Sequence, residues 1–308
     1  MKKLVIAERS LLVGHIISMV FGLAGLLLVL PNAQFIANLP EFGQLVFRWS
    51  MAGGGASYMV LATAAVAIYA YRILGLRRCL TFMMPAVFLS LGSELLGTST
   101  GFPFGHYRYL SGLGYKIAGL VPFTIPLSWF YLGFSAYLLV RVGLESRGVA
   151  TRWSLISAIA FGSLLLTSWD FVLDPAMSQT NVPFWIWEQP GGFFGMPYQN
   201  FAGWFGTGVV FMTVATLLWP KTPLNLSREQ LIFPLVVYVS NLIFATVMSV
   251  GSGFWIPALL GWVVGVIPAI AFFALAKSRS DVLADSLKES VLQSRSQQPP
   301  TIPAGVVK

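Results

Sequence analysis

Residues 11–30 read LLVGHIISMVFGLAGLLLVL, twenty positions with one histidine and no formal charge. At about 1.5 Å per residue such a helix reaches about 30 Å, the thickness of a bilayer's hydrocarbon core. Lys2, Lys3 and Arg9 precede it, an order shared with secretory signal peptides. The run is longer than a typical signal core and has no convincing small-residue cleavage site, so it reads as a first membrane span.

The same reading extends along the chain. Further apolar runs occupy residues 51–71, 80–96, 117–140, 153–173, 201–219, 231–250 and 254–276, which makes eight spans. The run at 80–96 is short and the last two are nearly continuous, so seven is the competing count. Composition agrees: 56% of residues are apolar and 10% charged, against about 25% charged in soluble domains. Mean hydropathy is +0.75. The predicted fold class is all-α, a polytopic transmembrane helical bundle over residues 1–276. Residues 277–308 turn polar, with a Ser/Gln/Pro-rich stretch at 294–300 that cannot bury a core, and are expected to form a disordered cytoplasmic tail. No internal repeat supports an inverted-repeat transporter.

The net charge of +8 does not point to nucleic acid, because the basic residues sit at span ends rather than along one stripe. With the N-terminus inside, sixteen Lys and Arg fall on that side, and Arg48, Arg108 and Lys116 fall on the other. That bias predicts that both termini are cytoplasmic.

Of eleven acidic residues, Glu41, Glu94, Asp170, Asp174 and Glu188 fall on the outer side. Glu94, Asp170 and Asp174 lie in or just beyond apolar runs that both travel outward, so all three arrive at one depth. An ionisable group there is a functional candidate by default. The plainer alternative is a carboxyl solvated at the interface or paired with Arg108 or Lys116. Asp174 precedes Pro175, which biases it out of helix, so it is expected either to cap the exit of the fifth span or to join the other two acids.

Two outer loops carry unusual chemistry. One runs from Glu94 through Gly101-Phe-Pro-Phe-Gly-His-Tyr-Arg-Tyr109. The other contains Trp169-Asp170, Asp174-Pro175, Trp185-Ile-Trp187, Gly195-Met-Pro-Tyr-Gln-Asn200 and Trp204. Glycine, proline and aromatics in this density suit irregular backbone around a cavity. Most of the aromatics, taken singly, fit an interfacial belt; the functional alternative is a wall that stabilises a cation or stacks on a polyene. Gly53-Gly-Gly55 and the GxxxG at Gly261 and Gly265 read as close helix-packing positions.

Other chemistries are excluded. Only His15 and His106 are present, too few for the histidine boxes of membrane di-iron oxygenases. Cys79 is alone, so neither an intramolecular disulfide nor a cysteine metal site can form. Dinucleotide, Walker, HExxH and DDxxD motifs are missing. No metal and no cofactor is expected.

Together these loop motifs resemble the CruF-type carotenoid biosynthesis proteins, most closely over residues 80–219. The resemblance implies a cofactor-independent carotenoid hydratase, a hydro-lyase that adds water to the terminal C=C of an acyclic (ψ) end group. The product is a tertiary alcohol, as in γ-carotene to 1′-hydroxy-γ-carotene; in archaea the substrate is a bacterioruberin precursor. It further implies a plasma or internal photosynthetic membrane, a carotenoid taken from the bilayer, and other carotenoid enzymes such as a glycosyltransferase as partners.

The chemistry fits the residues. Alkene hydration needs a proton for the less substituted carbon and water at the resulting tertiary cation, and neutral carboxyls beside aromatic faces supply both. Asp170 or Glu94 is the expected acid, with a partner carboxylate, Asp174 included, orienting water. His106, Tyr107, Tyr109, Trp169, Trp187, Asn200 and Trp204 are the expected substrate- and water-binding residues. Two other classes stay open: a carotenoid cyclase or isomerase starting from the same cation, and a non-enzymatic transporter or assembly factor using the carboxyls as a proton or cation site.

The charge bias yields a direct test in a Cys79→Ser background. A cysteine at Ser111 is expected to react with an impermeant thiol reagent outside intact cells, and one at Ser146 to stay unlabelled; the opposite pattern inverts the topology.

Overall fold

The computed structural model describes residues 2–146, 151–180, 182–220, 222–278, 280–282, 284 and 287. The apolar runs are helical, and the protein is an all-α polytopic bundle. Its helices are α1 (Lys2–Ala24), α2 (Ala33–Ala37), α3 (Glu41–Thr100), α4 (Thr124–Glu145), α5 (Thr151–Ser178), α6 (Tyr198–Leu218), α7 (Arg228–Gly251), α8 (Trp255–Gly261) and α9 (Ile267–Leu275). A π-helical turn, Trp262–Val266, joins α8 to α9 in one continuous rod. Most of the expected polar tail lies outside the described residues.

Among the described residues, seven helices are long and apolar enough to cross a membrane. The longest, α3, has 60 residues and could not cross once. Gly75 interrupts it at φ 82° and ψ 165°, a conformation open essentially to glycine alone. There the chain turns back on itself: Cys79 Sγ lies 3.6 Å from the Ala67 carbonyl, whereas twelve residues along a straight helix separate atoms by about 18 Å. The two arms, 41–74 and 76–100, are each of crossing length, which makes eight such segments among the described residues.

α4 is the hub. It is buried around nearly its whole circumference, as a helix enclosed by others must be, and Phe130, Phe134, Tyr137 and Leu138 are fully buried. It packs against α3, α5, α7 and α9. In contrast, α1 buries a single stripe of Glu8, Leu12, His15 and Met19, at spacings of four, three and four residues. That stripe docks through Glu8 to Arg72 at 2.6 Å and through His15 Nδ1 to the Tyr58 carbonyl at 2.9 Å.

Several boundaries differ from expectation. Residues 116–122 are not the start of a span but a small antiparallel hairpin, β2 (Lys116–Ile117) with β3 (Val121–Pro122), so α4 begins only at Thr124. α5 continues through Pro175 to Ser178, so Asp174 does not leave the helix. Proline lacks one backbone donor, and membrane helices tolerate that where neighbours compensate. A glycine at positive φ, Gly253, separates α7 from α8, which resolves the two nearly continuous runs. Gly261 and Gly265 do sit tightly against Val172 and Ser168 of α5, and Gly55 lies against the Gly112 carbonyl. Gly53 packs against nothing within 4 Å.

The reversal at Gly75 can be tested by stability. Gly75→Ala is expected to cost about 1–3 kcal/mol, read as a lower apparent Tm in detergent. Gly92→Ala, in regular helix with open space around its Cβ, is expected to be neutral or slightly stabilising. Equal melting of the two would show that Gly75 carries no special conformation.

Candidate active site

The two unusual loops meet as one antiparallel ribbon. β1 (Tyr107–Tyr109) pairs with β4 (Trp185–Trp187), placing Tyr107 opposite Trp187 and Tyr109 opposite Trp185. Alternation along a strand sends these four aromatics to one face, and Arg108 and Ile186 to the other. Arg108 meets Glu188 at 3.0 Å on the exposed side. The aromatic face closes over the outer ends of the helices and supplies hydrogen-bond donors to what lies beneath.

Beneath it are the three carboxyls, each only 2% exposed. Glu94, on the second arm of α3, accepts from three donors: the Tyr107 hydroxyl, the Tyr109 hydroxyl at 2.9 Å and Trp129 Nε1 at 3.0 Å. Asp174 on α5 also accepts from three side-chain donors. Trp187 Nε1 donates to Oδ1 at 2.9 Å, Trp185 Nε1 to Oδ2 at 3.0 Å, and Ser178 Oγ to Oδ1 at 3.0 Å. Asp170, one turn earlier on the same face of α5, is different. Asn200 Nδ2 donates to its Oδ2 at 2.7 Å, and it has no second donor among the described residues. Burial, and next the nearby Glu94 charge, push the Tyr107 and Tyr109 phenols well above their usual range. Both therefore stay protonated and keep donating.

No cation reaches these acids among the described residues. Arg108 turns outward to Glu188, and Lys116 Nζ donates to the Tyr109 carbonyl at 2.6 Å. Pairing with Arg108 or Lys116 is thereby set aside.

Glu94, Asp170 and Asp174 line one cavity of about 40 Å³, with Tyr107, Tyr109, Trp169, Trp187, Asn200 and Trp204 also in its wall. A buried water needs about 10–15 Å³ by this measure, so the space suits one to a few waters. Trp204 stacks on Trp129 at 4.1 Å and lies 5.8 Å from Trp169, giving a wall of indole faces. Two groups lining the cavity are buried without a hydrogen-bond partner among the described residues: Trp169 Nε1 and the Tyr58 hydroxyl. Both are free to bond water or a hydroxylated ligand.

Of the expected residues, only His106 stands apart. It is exposed, and its backbone N–H bonds Gln189 Oε1 at 3.2 Å while its ring packs beside Gly101. Sequence reasoning missed Trp129 and Tyr58 and passed over Trp185 as a ligand. Trp129 and Tyr58 lie inside apolar spans with no motif around them. Trp185 carried a usable signal, since it shares strand parity with Trp187.

Comparison with known proteins places this geometry in context. Residues 54–268 match the family described as carotenoid biosynthesis protein. The chain is 30% identical over 261 residues to the bisanhydrobacterioruberin hydratase of Haloarcula japonica, covering 80% of each protein. No solved structure matches.

Donor geometry predicts an order of stability. An amide has one acceptor oxygen, so Asp174→Asn must turn its NH₂ toward one of two indole N–H groups that cannot rotate away. A buried group left opposed costs about 1–3 kcal/mol. Asp170→Asn keeps an oxygen for its single donor and is expected to melt close to wild type. The idea fails if Asp170→Asn is the less stable of the two in detergent melts.

Proposed function

Because the chain belongs to the carotenoid biosynthesis protein family, we propose that it hydrates the terminal C=C of an open-ended carotenoid to a tertiary alcohol. One observation carries the reading. Asp170 is a buried carboxyl with a single protein donor, in a water-sized cavity walled by indoles. The hydratase relative supports the same bond change.

In this reading Asp170 holds the transferable proton, because its other oxygen is not committed to a protein donor. The proton passes to the less substituted alkene carbon, and the π electrons form the new C–H bond. Positive charge is left on the tertiary carbon. Indole faces of Trp169 and Trp204 stabilise that cation by about 0.5–2 kcal/mol each. Glu94 and Asp174, each held by three neutral donors, add carboxyl oxygens to the lining of the same cavity. A water held near Trp169 Nε1 and the Tyr58 hydroxyl then forms the C–O bond, and its surplus proton returns to Asp170. One water is consumed and the acid is restored, with no change of oxidation state.

The unpaired Trp169 and Tyr58 donors also favour hydration over cyclisation, since a cyclase gains from keeping water away from the same cation. The long apolar helices suit a membrane, and a rigid hydrocarbon dissolved in lipid is the substrate such a protein would draw from the bilayer.

The test uses purified protein in liposomes loaded with an open-ended carotene, without nucleotide or oxygen. The alcohol oxygen is expected from ¹⁸O-labelled water, and deuterium from heavy water at the adjacent carbon. Asp170→Asn should lose about 10²–10⁴-fold in turnover, the usual contribution of a general acid, while Glu188→Gln on the outer face stays near wild type. Oxygen drawn from O₂, or an active Asp170→Asn, would overturn the proposal.

A further inference from the structure

The catalytic cavity is too small for a carotenoid, and a second cavity adjoins it. This one, of about 440 Å³, lies between α1 and the first arm of α3, within the roughly 300–1,000 Å³ common for small-molecule sites. Tyr58, Leu113 and Met177 line both cavities. All three are buried, so they form a neck between the two spaces. At the other end the walls include Ile17, Phe21 and Trp49, which are 62%, 56% and 71% exposed. On a membrane-spanning bundle that exposure faces lipid. The larger cavity therefore runs from the lipid-facing surface to the edge of the acid site.

Its walls are shaped by missing side chains. Gly22 and Gly25 on the α1 side and Gly53 on α3 line it, and a Cβ at any of them would meet nothing within 4 Å. Each glycine costs a helix about 0.5–1 kcal/mol against alanine. Close helix packing, which accounts for Gly55 against the Gly112 carbonyl, does not account for these three. They keep a slot open.

We propose that this slot is the polyene-binding channel: the rigid chain of a linear carotenoid enters sideways from the bilayer and presents its open end through the Tyr58–Leu113–Met177 neck to Asp170. The assignment rests on the hydratase reading for the identity of the occupant. Three features select a long hydrocarbon. The walls are mostly apolar, with four serines among them, the outer opening faces lipid, and the inner end reaches the three buried carboxyls beneath the ribbon. Met177 and Leu113 are the movable parts of the neck; Leu113 sits between Gly112 and Gly114, both at positive φ, and methionine adapts readily to a passing chain.

The experiment fills the slot. Gly53→Leu and Gly22→Leu each add a side chain where there is free space, on different helices, and both improve helix propensity. Gly92→Leu, also facing open space but outside both cavities, is the control. Two substrates are compared: a full-length open-ended carotene and a short acyclic isoprenoid alkene with the same terminus. Pigment retained per protein, after purification from carotene-loaded membranes, is read in parallel. Both slot variants are expected to lower the long-to-short ratio of kcat/KM by about tenfold or more, and to lose retained pigment in step. Gly92→Leu should match wild type on both readouts. Slot variants with wild-type ratio and wild-type retention would overturn the channel, leaving lipid as the occupant. Wild type that retains pigment in a slot-dependent way but forms no alcohol from either substrate would keep the channel and remove the hydratase reading.

Discussion

Three carboxyls buried at one end of a membrane bundle, with no cation beside them among the described residues, are the constraint around which that end of the protein is arranged. An unpaired charge in a low-dielectric interior is costly, and a partly satisfied polar group is nearly as bad. The solution here uses neutral donors on apolar bodies. Indole N–H and phenol O–H groups satisfy Glu94 and Asp174 while their rings add to the packed core. Long irregular loops are needed for this, because donors must arrive from above the helix ends. Pairing those loops as a ribbon also satisfies their backbone, which lipid would leave bare.

The opposite end handles charge in another way. Glu8 pairs with Arg72 at 2.6 Å, and buried Arg141 reaches Glu145 at 2.8 Å and the Tyr137 hydroxyl at 2.9 Å, with Trp219 under its guanidinium. These are fixed ion pairs that lock α1 to α3 and stiffen α4. A carboxylate so paired has no proton to give. The acids beneath the ribbon lack a cation, so a proton is the natural partner for whichever has fewest donors. Two solutions to buried charge, at the two ends of one bundle, separate structure from chemistry.

What could be read from the sequence follows the physics of each signal. Membrane spans are written in composition, because lipid demands about 20 apolar residues in a row, and the class and most helices were legible. Glu94 and Asp170 stood out since charge inside such runs is rare. Asp174 was legible as an acid but not as a helical one: the bias imposed by Pro175 is local, and packing against the ribbon overrode it. His106 shows the converse error, since a polar residue inside a distinctive loop need not point inward. Its neighbours Tyr107 and Tyr109 do, and strand parity separates the three once the pairing is known. Trp129 and Tyr58 were hidden because an aromatic in an apolar span is ordinary; only the fold reveals that one bonds Glu94 and the other stands at the neck. Gly53 was read as a packing residue by its neighbours' pattern, and its empty surroundings appear only in three dimensions.

If the chain is the hydratase proposed above, the arrangement also bears on how one cation could be steered to a single product. A tertiary carbocation beside a flexible polyene can lose a proton, cyclise or meet water, and the enzyme's influence is over which of these is nearest. A polyene held straight in a narrow slot cannot fold its own double bonds back onto the cation, which removes cyclisation by geometry. Return of the added proton to Asp170 merely reverses the first step. Water is left as the productive partner, in a space too small for much else, beside donors that the protein itself leaves unpaired. In the proposed reading, a mostly apolar channel meeting a water-sized cavity at Asp170 would favour hydration, with the selectivity residing in shape and the acceleration in one proton.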